Sequence, residues 1–333
     1  MSQYMNCMMG YTNIRCNIDM GNAVIANRRV NIKFDNSMNF NGSVILPRNV
    51  LTWTNYSGEP RFSFENCMSL NSPVTIPNYF TLASYAFYNC TQFNGLVTFE
   101  GTTYCRNFEM IFYNCTNYNR PTIFPDSVYN NVRYDNAFRD CVNFNQPVTI
   151  GNGAYQLQYM FRNCVSFNQE VTIPSTAYNL ESMFDGCTSF NSMVHIPESY
   201  TSQYIVCFAM FYNCTNFNKP VAIPDSAACV RMFDGCTNLN SDIYIGNNSD
   251  CTRMFNNCRN FNRDLYIPDG TYYNNILSGC SNYKSMISIP NSDNVGLTPG
   301  ENRLGARVFH RDTGITDTVA YNALNHQYYW EYT

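Results

Sequence analysis

Apolar and polar positions alternate along this chain in one recurring phrase, read most plainly at Met183-Phe184-Asp185-Gly186-Cys187-Thr188-Ser189-Phe190-Asn191-Ser192-Met193-Val194-His195-Ile196-Pro197. Its cysteine returns at 67, 90, 115, 141, 164, 187, 214, 236, 258 and 280, in steps of 22 to 27 residues. A degenerate copy, Asn36-Ser37-Met38-Asn39-Phe40-Asn41 followed by Val44-Ile45-Leu46-Pro47, carries Ser37 at the cysteine place. Repetition at this period predicts a solenoid, because one such unit cannot bury its own apolar face without neighbours stacked on it. Counted from the cysteine as zero, places −7, −4, −3 and 0 are apolar, as at Leu180, Met183, Phe184 and Cys187. That spacing follows the i, i+3, i+4, i+7 rule and predicts a short helical turn. The V-x-I stretch, as in Val148-Thr149-Ile150 or Val221-Ala222-Ile223, alternates in and out and predicts a short strand ended by Pro or Gly. Every copy runs the same way, so the strands are expected to stack in parallel, and ten or eleven coils about 4.8 Å apart would make a rod roughly 50 Å long. The expected fold class is an α/β solenoid with one parallel β-sheet and short helical turns.

Three segments follow from where the phrase holds. Residues 1–35 fall outside it and are expected to form an N-terminal cap or attachment segment, with a strand at Arg29-Val30-Asn31-Ile32-Lys33-Phe34. Residues 36–290 hold about eleven repeats of 22–30 residues, their length differences falling between the Pro and the next turn. Residues 291–333 are a C-terminal cap or attachment segment, in which Ala306 to Arg311 reads as one last strand and Ala320 to Tyr332 as a short helix or an aromatic tail.

Composition changes this picture in two ways. With 24 acidic and 20 basic side chains and a net charge of −4, the chain has no electrostatic footprint for nucleic acid. Aromatic residues make up 16%, with 26 Tyr and 24 Phe, enough to build a core along the whole repeat. No run of about 18 apolar residues occurs, so membrane insertion is not expected. The first residues have neither a basic stretch nor an apolar one of the secretory kind, so synthesis in the cytosol without export is expected.

The chemistry legible in the sequence is structural. Ten of 16 cysteines share one repeat place, among them Cys90, Cys115, Cys141, Cys164, Cys187, Cys214, Cys236 and Cys258, which predicts a buried ladder of free thiols. Place +4 is Asn in nine copies, including Asn145, Asn168, Asn191 and Asn218, and suits a coil corner where stacked side chains form a second ladder. The three histidines lack partners at metal-ligand spacing, no C-x-x-C occurs, and no phosphate-binding or nucleophile phrase is present. No metal, cofactor or catalysis is therefore expected. Place +8, between the Val and Ile of the strand, is the candidate contact surface, where His195, Tyr244 and Tyr266 stand in a column otherwise rich in Thr. Tyrosine offers an apolar face and a polar tip to a sugar ring or a protein partner, though β-propensity alone also fills an exposed sheet with such residues.

The phrases Ser84-Tyr85-Ala86-Phe87-Tyr88-Asn89-Cys90-Thr91-Gln92-Phe93 and Phe184-Asp185-Gly186-Cys187-Thr188-Ser189-Phe190-Asn191 resemble the BspA type of leucine-rich repeat, over about three quarters of the chain. The resemblance implies a right-handed, leucine-rich-repeat-like coil and carries over no catalytic residue. Members of that family are mostly surface adhesins of bacteria and protists, and similar repeats occur in phage and prophage virion proteins. The function so implied is that of a non-enzymatic phage virion protein of the capsid surface, tail or baseplate, assembled in the host cytoplasm. Its partners would be other virion proteins, or a host surface receptor or glycan. The alternative is a BspA-type adhesin at the cell surface.

Overall fold

A computed structural model describes residues 17–19, 24–25, 31–47, 49–50, 61–197, 204–290, 306–312, 314–322 and 327–332. Cys7, Cys16, Arg29 and Val30 lie outside them. The chain divides into two compact units, Met1–Ala177 and Tyr178–Thr333, each wound from the same coil.

In both units the V-x-I stretch forms the expected parallel stack. In the first unit Val74–Ile76 pairs with Val97–Phe99, and Thr122–Ile123 with Val148–Thr149. In the second, Val221–Ala222 pairs with Ile243–Tyr244, and Leu265–Tyr266 with Met286–Ile289. The valines point into the core and the next residue points out, as the pleat requires. The stack also reaches into the stretch that the sequence pattern had set aside, since Ile18–Asp19 pairs in parallel with Val44–Ile45.

Two features of the expected fold class are overturned. A second stack of short parallel strands runs beside the first, just before the apolar turn. It joins Val132–Arg133 to Ala154–Gln156 in one unit and Ile205–Val206 to Ala227–Ala228 in the other. Single bridges such as Leu82↔Asn107 and Asp250↔Tyr272 continue it. These strands are two or three residues long, too short for alternation to show.

The second correction concerns the helical turn. Among the described residues there is no helix, so the molecule is a β-solenoid and not an α/β one. In the coil of Cys90, the amides of Ala86, Tyr88 and Cys90 bond three residues back, to the carbonyls of Ala83, Tyr85 and Phe87. The alternate amides, of Ala83, Tyr85, Phe87 and Asn89, donate to the next coil, to the carbonyls of Asn107, Glu109, Ile111 and Tyr113 at 2.8–3.0 Å. The cause is a left-handed residue at places −5 and −1: Tyr85 (φ 60°) and Asn89 (φ 59°), Ser182 (φ 50°) and Gly186 (φ 75°), Arg253 (φ 54°) and Asn257 (φ 59°). A positive φ at the third residue belongs to a type II turn and ends the run of right-handed residues that a helix needs. The four apolar places still point inward, with Leu180, Met183, Phe184 and Cys187 all buried. The spacing therefore reported burial correctly and hydrogen bonding wrongly.

Inside the coils, rings from equivalent places lie on one another. Phe87, Phe112 and Phe138 stack at 5.4 and 5.2 Å between centroids, and Phe211, Phe233 and Phe255 at 5.4 and 5.6 Å. A parallel column at place +3 follows, with Phe93, Tyr118 and Phe144 at 5.7 and 5.8 Å. The buried Tyr118 hydroxyl is matched with Thr122 Oγ1 at 2.8 Å, so the polar atom that Tyr118 brings into that column is satisfied.

The second unit ends in a change of direction. Arg307–His310 adds in parallel to Met286–Ile289, as expected of the last strand. The chain then reverses through Ile315–Asn322 and Gln327–Tyr332, both antiparallel. The helical option for 320–332 is thus overturned, in a stretch whose Tyr321, Tyr328, Tyr329 and Trp330 favour strands over helices.

Candidate functional site

The cysteine place is a row of hydrogen-bond donors. Each thiol gives its proton to the carbonyl of the Phe one coil earlier: Cys90 to Phe64, Cys115 to Phe87, Cys141 to Phe112 and Cys164 to Phe138, at 2.9–3.0 Å. In the second unit Cys214, Cys236 and Cys258 do the same to Phe184, Phe211 and Phe233. Cys187 is buried like the others. Burial pushes these thiols up, to about 12 at Cys67 and well above the usual value at Cys115, Cys214 and Cys258. They are held as neutral donors, the opposite of what a nucleophile or a metal ligand requires. A second thiol column, Cys207, Cys229 and Cys251, lies buried in the second unit.

The asparagines at +4 splice the coils at a corner. The backbone amide of Asn168 donates to Asn145 Oδ1 and that of Asn145 to Asn119 Oδ1, both at 2.9 Å. In the second unit the amides of Asn218, Asn240 and Asn262 donate to Asn191, Asn218 and Asn240. Sequence reasoning missed a further column at −1. There Asn66, Asn89 and Asn114 each give a side-chain amide proton to the Oδ1 one coil earlier, at 2.9–3.0 Å. The signal was present, since place −1 holds Asn, Gly or Asp in every copy, the residues that tolerate a left-handed backbone.

The candidate contact residues stand on the open side of the strand column. His195 is exposed, and Tyr244 and Tyr266 are 63% and 57% exposed. Tyr266 is set by a residue that the sequence did not single out. The Arg311 guanidinium lies 4.2 Å from the centre of its ring, donates to the Ile267 carbonyl at 2.8 Å and to Asp269 Oδ1 at 2.9 Å, and reaches the Ser288 carbonyl at 3.2 Å. The neighbouring acids have structural work: Asp264 Oδ1 accepts the amide of Met286 at 2.9 Å, and Asp242 faces Arg263 at 3.9 Å. Among the described residues no three His, Cys, Asp or Glu side chains converge as a metal site, and no helix is long and apolar enough to cross a membrane.

This coil has a counterpart among known families. Residues 80–195, 152–228 and 179–294 each match the family described as "Mycoplasma protein of unknown function, DUF285". Together the matches run from 80 to 294, well over half of the 333 residues. The chain belongs to this family. No curated protein and no solved structure matches it. The three matches overlap, so the DUF285 pattern is itself repetitive and fits this chain in more than one register. In this DUF285 chain the matched stretch holds most of both Asn columns, of the thiol row and of the Phe stack, together with His195, Tyr244 and Tyr266. A repeat solenoid of this kind offers an extended regular surface, which is the architecture of protein–protein contact.

Proposed function

We propose that this DUF285 chain is a non-enzymatic contact scaffold and that it works as a structural component of a phage virion, at the capsid surface, tail or baseplate. The observation that carries the reading is how its polar and reactive groups are used. The buried thiols and corner asparagines bond from coil to coil, while the exposed strand place presents Tyr244, Tyr266 and His195 outward. Exposed tyrosines on a rigid frame suit contact with a virion protein, a host receptor or a glycan, because they bring area at little entropic cost. The BspA-like phrasing of the repeat supports the same reading, since virion proteins use similar repeats.

A second reading, a cell-surface adhesin of the BspA type, is favoured by the family's description as Mycoplasma proteins. Mass spectrometry of purified virions and of protease-shaved cells separates the two. The virion reading expects the chain among virion proteins and fails if it is released from intact cells instead. Tyr244→Ala and Tyr266→Ala are expected to lower binding to virion or host-surface preparations at least tenfold, with the circular dichroism spectrum unchanged.

A further inference from the structure

The last sheet of the second unit grows as it ends. Leu265–Tyr266 has two residues, Met286–Ile289 and Arg307–His310 have four, Ile315–Asn322 has eight and Gln327–Tyr332 has six. Among the described residues Gln327–Tyr332 is paired along one edge, with Ile315–Asn322. Its other edge is a row of backbone donors and acceptors about 20 Å long. Proteins blunt such edges with Lys, Pro, Gly-bearing bulges or very short strands. The sequence Gln327-Tyr328-Tyr329-Trp330-Glu331-Tyr332 has no Lys, Arg, Pro or Gly, and among the described residues only Ile315–Asn322 is a longer strand. The two-residue strands elsewhere in the coils give an incoming strand far less to hold.

We propose that this strand is a homotypic docking edge, on which the same strand of a second copy pairs antiparallel about a two-fold axis. The sequence selects that occupant and that direction. Antiparallel pairing centred between Tyr329 and Trp330 sets Tyr329 opposite Trp330, Tyr328 opposite Glu331 and Gln327 opposite Tyr332. Shifted to centre on Tyr329, it sets Tyr328 opposite Trp330 and Gln327 opposite Glu331. Either register gives aromatic cross-strand pairs and keeps the strand's one charge away from its own copy. In-register parallel pairing would bring Glu331 against Glu331, which is unfavourable. A two-fold contact of this kind closes on itself and ends at a dimer.

Sedimentation of the full chain at tens of micromolar tests the proposal. The expected species has twice the 38.3 kDa monomer mass and dissociates on dilution. Tyr329→Lys with Trp330→Lys puts Lys opposite Lys in both registers, whereas within the chain these places face Val319 and Ala320. This variant is expected to be monomeric, and mixing it with the Tyr329→Glu, Trp330→Glu variant is expected to restore a mixed dimer. Should the pair of lysines prevent folding, judged by circular dichroism, Gln327→Lys and Tyr328→Lys with Glu331→Lys make the same test, since they set Lys opposite Lys at a flanking place in both registers. A monomeric parent chain overturns the proposal, as does a folded lysine variant that dimerises like the parent. Either result leaves the edge to a strand from a different protein or to none.

Discussion

A buried thiol that donates to a carbonyl ties stability to pH. In the folded chain the thiols of Cys115, Cys214 and Cys258 are raised well above the usual value near 9 because burial penalises the thiolate. In the unfolded chain they titrate normally. The folded state then holds protons that the unfolded state releases, so stability is fully present below pH 9 and falls as pH rises beyond it. Each such thiol contributes a slope of about 1.4 kcal/mol per pH unit, and the slopes of a row of them add. Urea midpoints from pH 7 to 11 are expected to stay level to about pH 9 and then drop steeply. In the same way, a thiol reagent at pH 8, read out by peptide mapping, is expected to label the cysteines from Cys67 to Cys280 only after denaturant is added. The left-handed places supply a second residue-level test. Gly101 (φ +60°) has open space where a Cβ would sit, whereas at Gly153 (φ +85°) a Cβ would run into the Tyr129 carbonyl. Gly101→Ala is expected to cost about 1 kcal/mol, the dihedral penalty alone, and Gly153→Ala at least about twice that. Chemical denaturation of the two variants separates strain from collision.

A run of turns and a helical turn bury the same four places, and this decides what the sequence could tell. Leu180, Met183, Phe184 and Cys187 point inward in either geometry, so the apolar spacing located the core and left the backbone undetermined. The discriminating residues were the polar ones between them. Gly186, Gly235 and Gly279, with Asn at −1 in other copies, weaken a helix and favour a left-handed turn. Place −5 gave no such warning, since Tyr85, Met110, Tyr159, Ala209 and Arg231 all adopt positive φ there. They are held by inter-coil hydrogen bonds such as the one from the Tyr85 amide to the Glu109 carbonyl, a tertiary constraint invisible in one copy of the phrase. The second strand stack was hidden for the same reason, because two-residue strands form by pairing and not by local preference. Among the candidate contact residues, the exposure of His195, Tyr244 and Tyr266 followed from strand alternation, but Arg311 over Tyr266 joins places 45 residues apart and could not be read from spacing. Far-UV circular dichroism is expected to lack the paired 208 and 222 nm minima of helices. At the corner, Asn218→Ala removes the acceptor of the Asn240 amide and of the Ser241 hydroxyl. A loss of about 1–2 kcal/mol is expected from thermal or urea unfolding.

At the scale of the whole molecule, two compact units follow one rule of assembly, and the end of the second is joined to its coils by strand pairing and by Arg311. Arg311 links the reversed C-terminal strands to the two preceding coils through Ile267, Asp269 and Ser288. Arg311→Ala is expected to speed limited proteolysis after residue 311 severalfold while leaving cleavage within the first unit unchanged. The coil-to-coil bonds carry a further consequence. In the second unit the cysteines step evenly from Cys214 to Cys236, Cys258 and Cys280, and each coil offers its successor the same acceptors that it takes from its predecessor. Excising residues 237–258 as a block would bring Cys280 under the Phe233 carbonyl that Cys258 now occupies, with every column still continuous. Unequal crossing-over between copies can therefore shorten or lengthen the gene by whole coils without any new interface having to evolve. Reach becomes a quantity that selection can tune by counting.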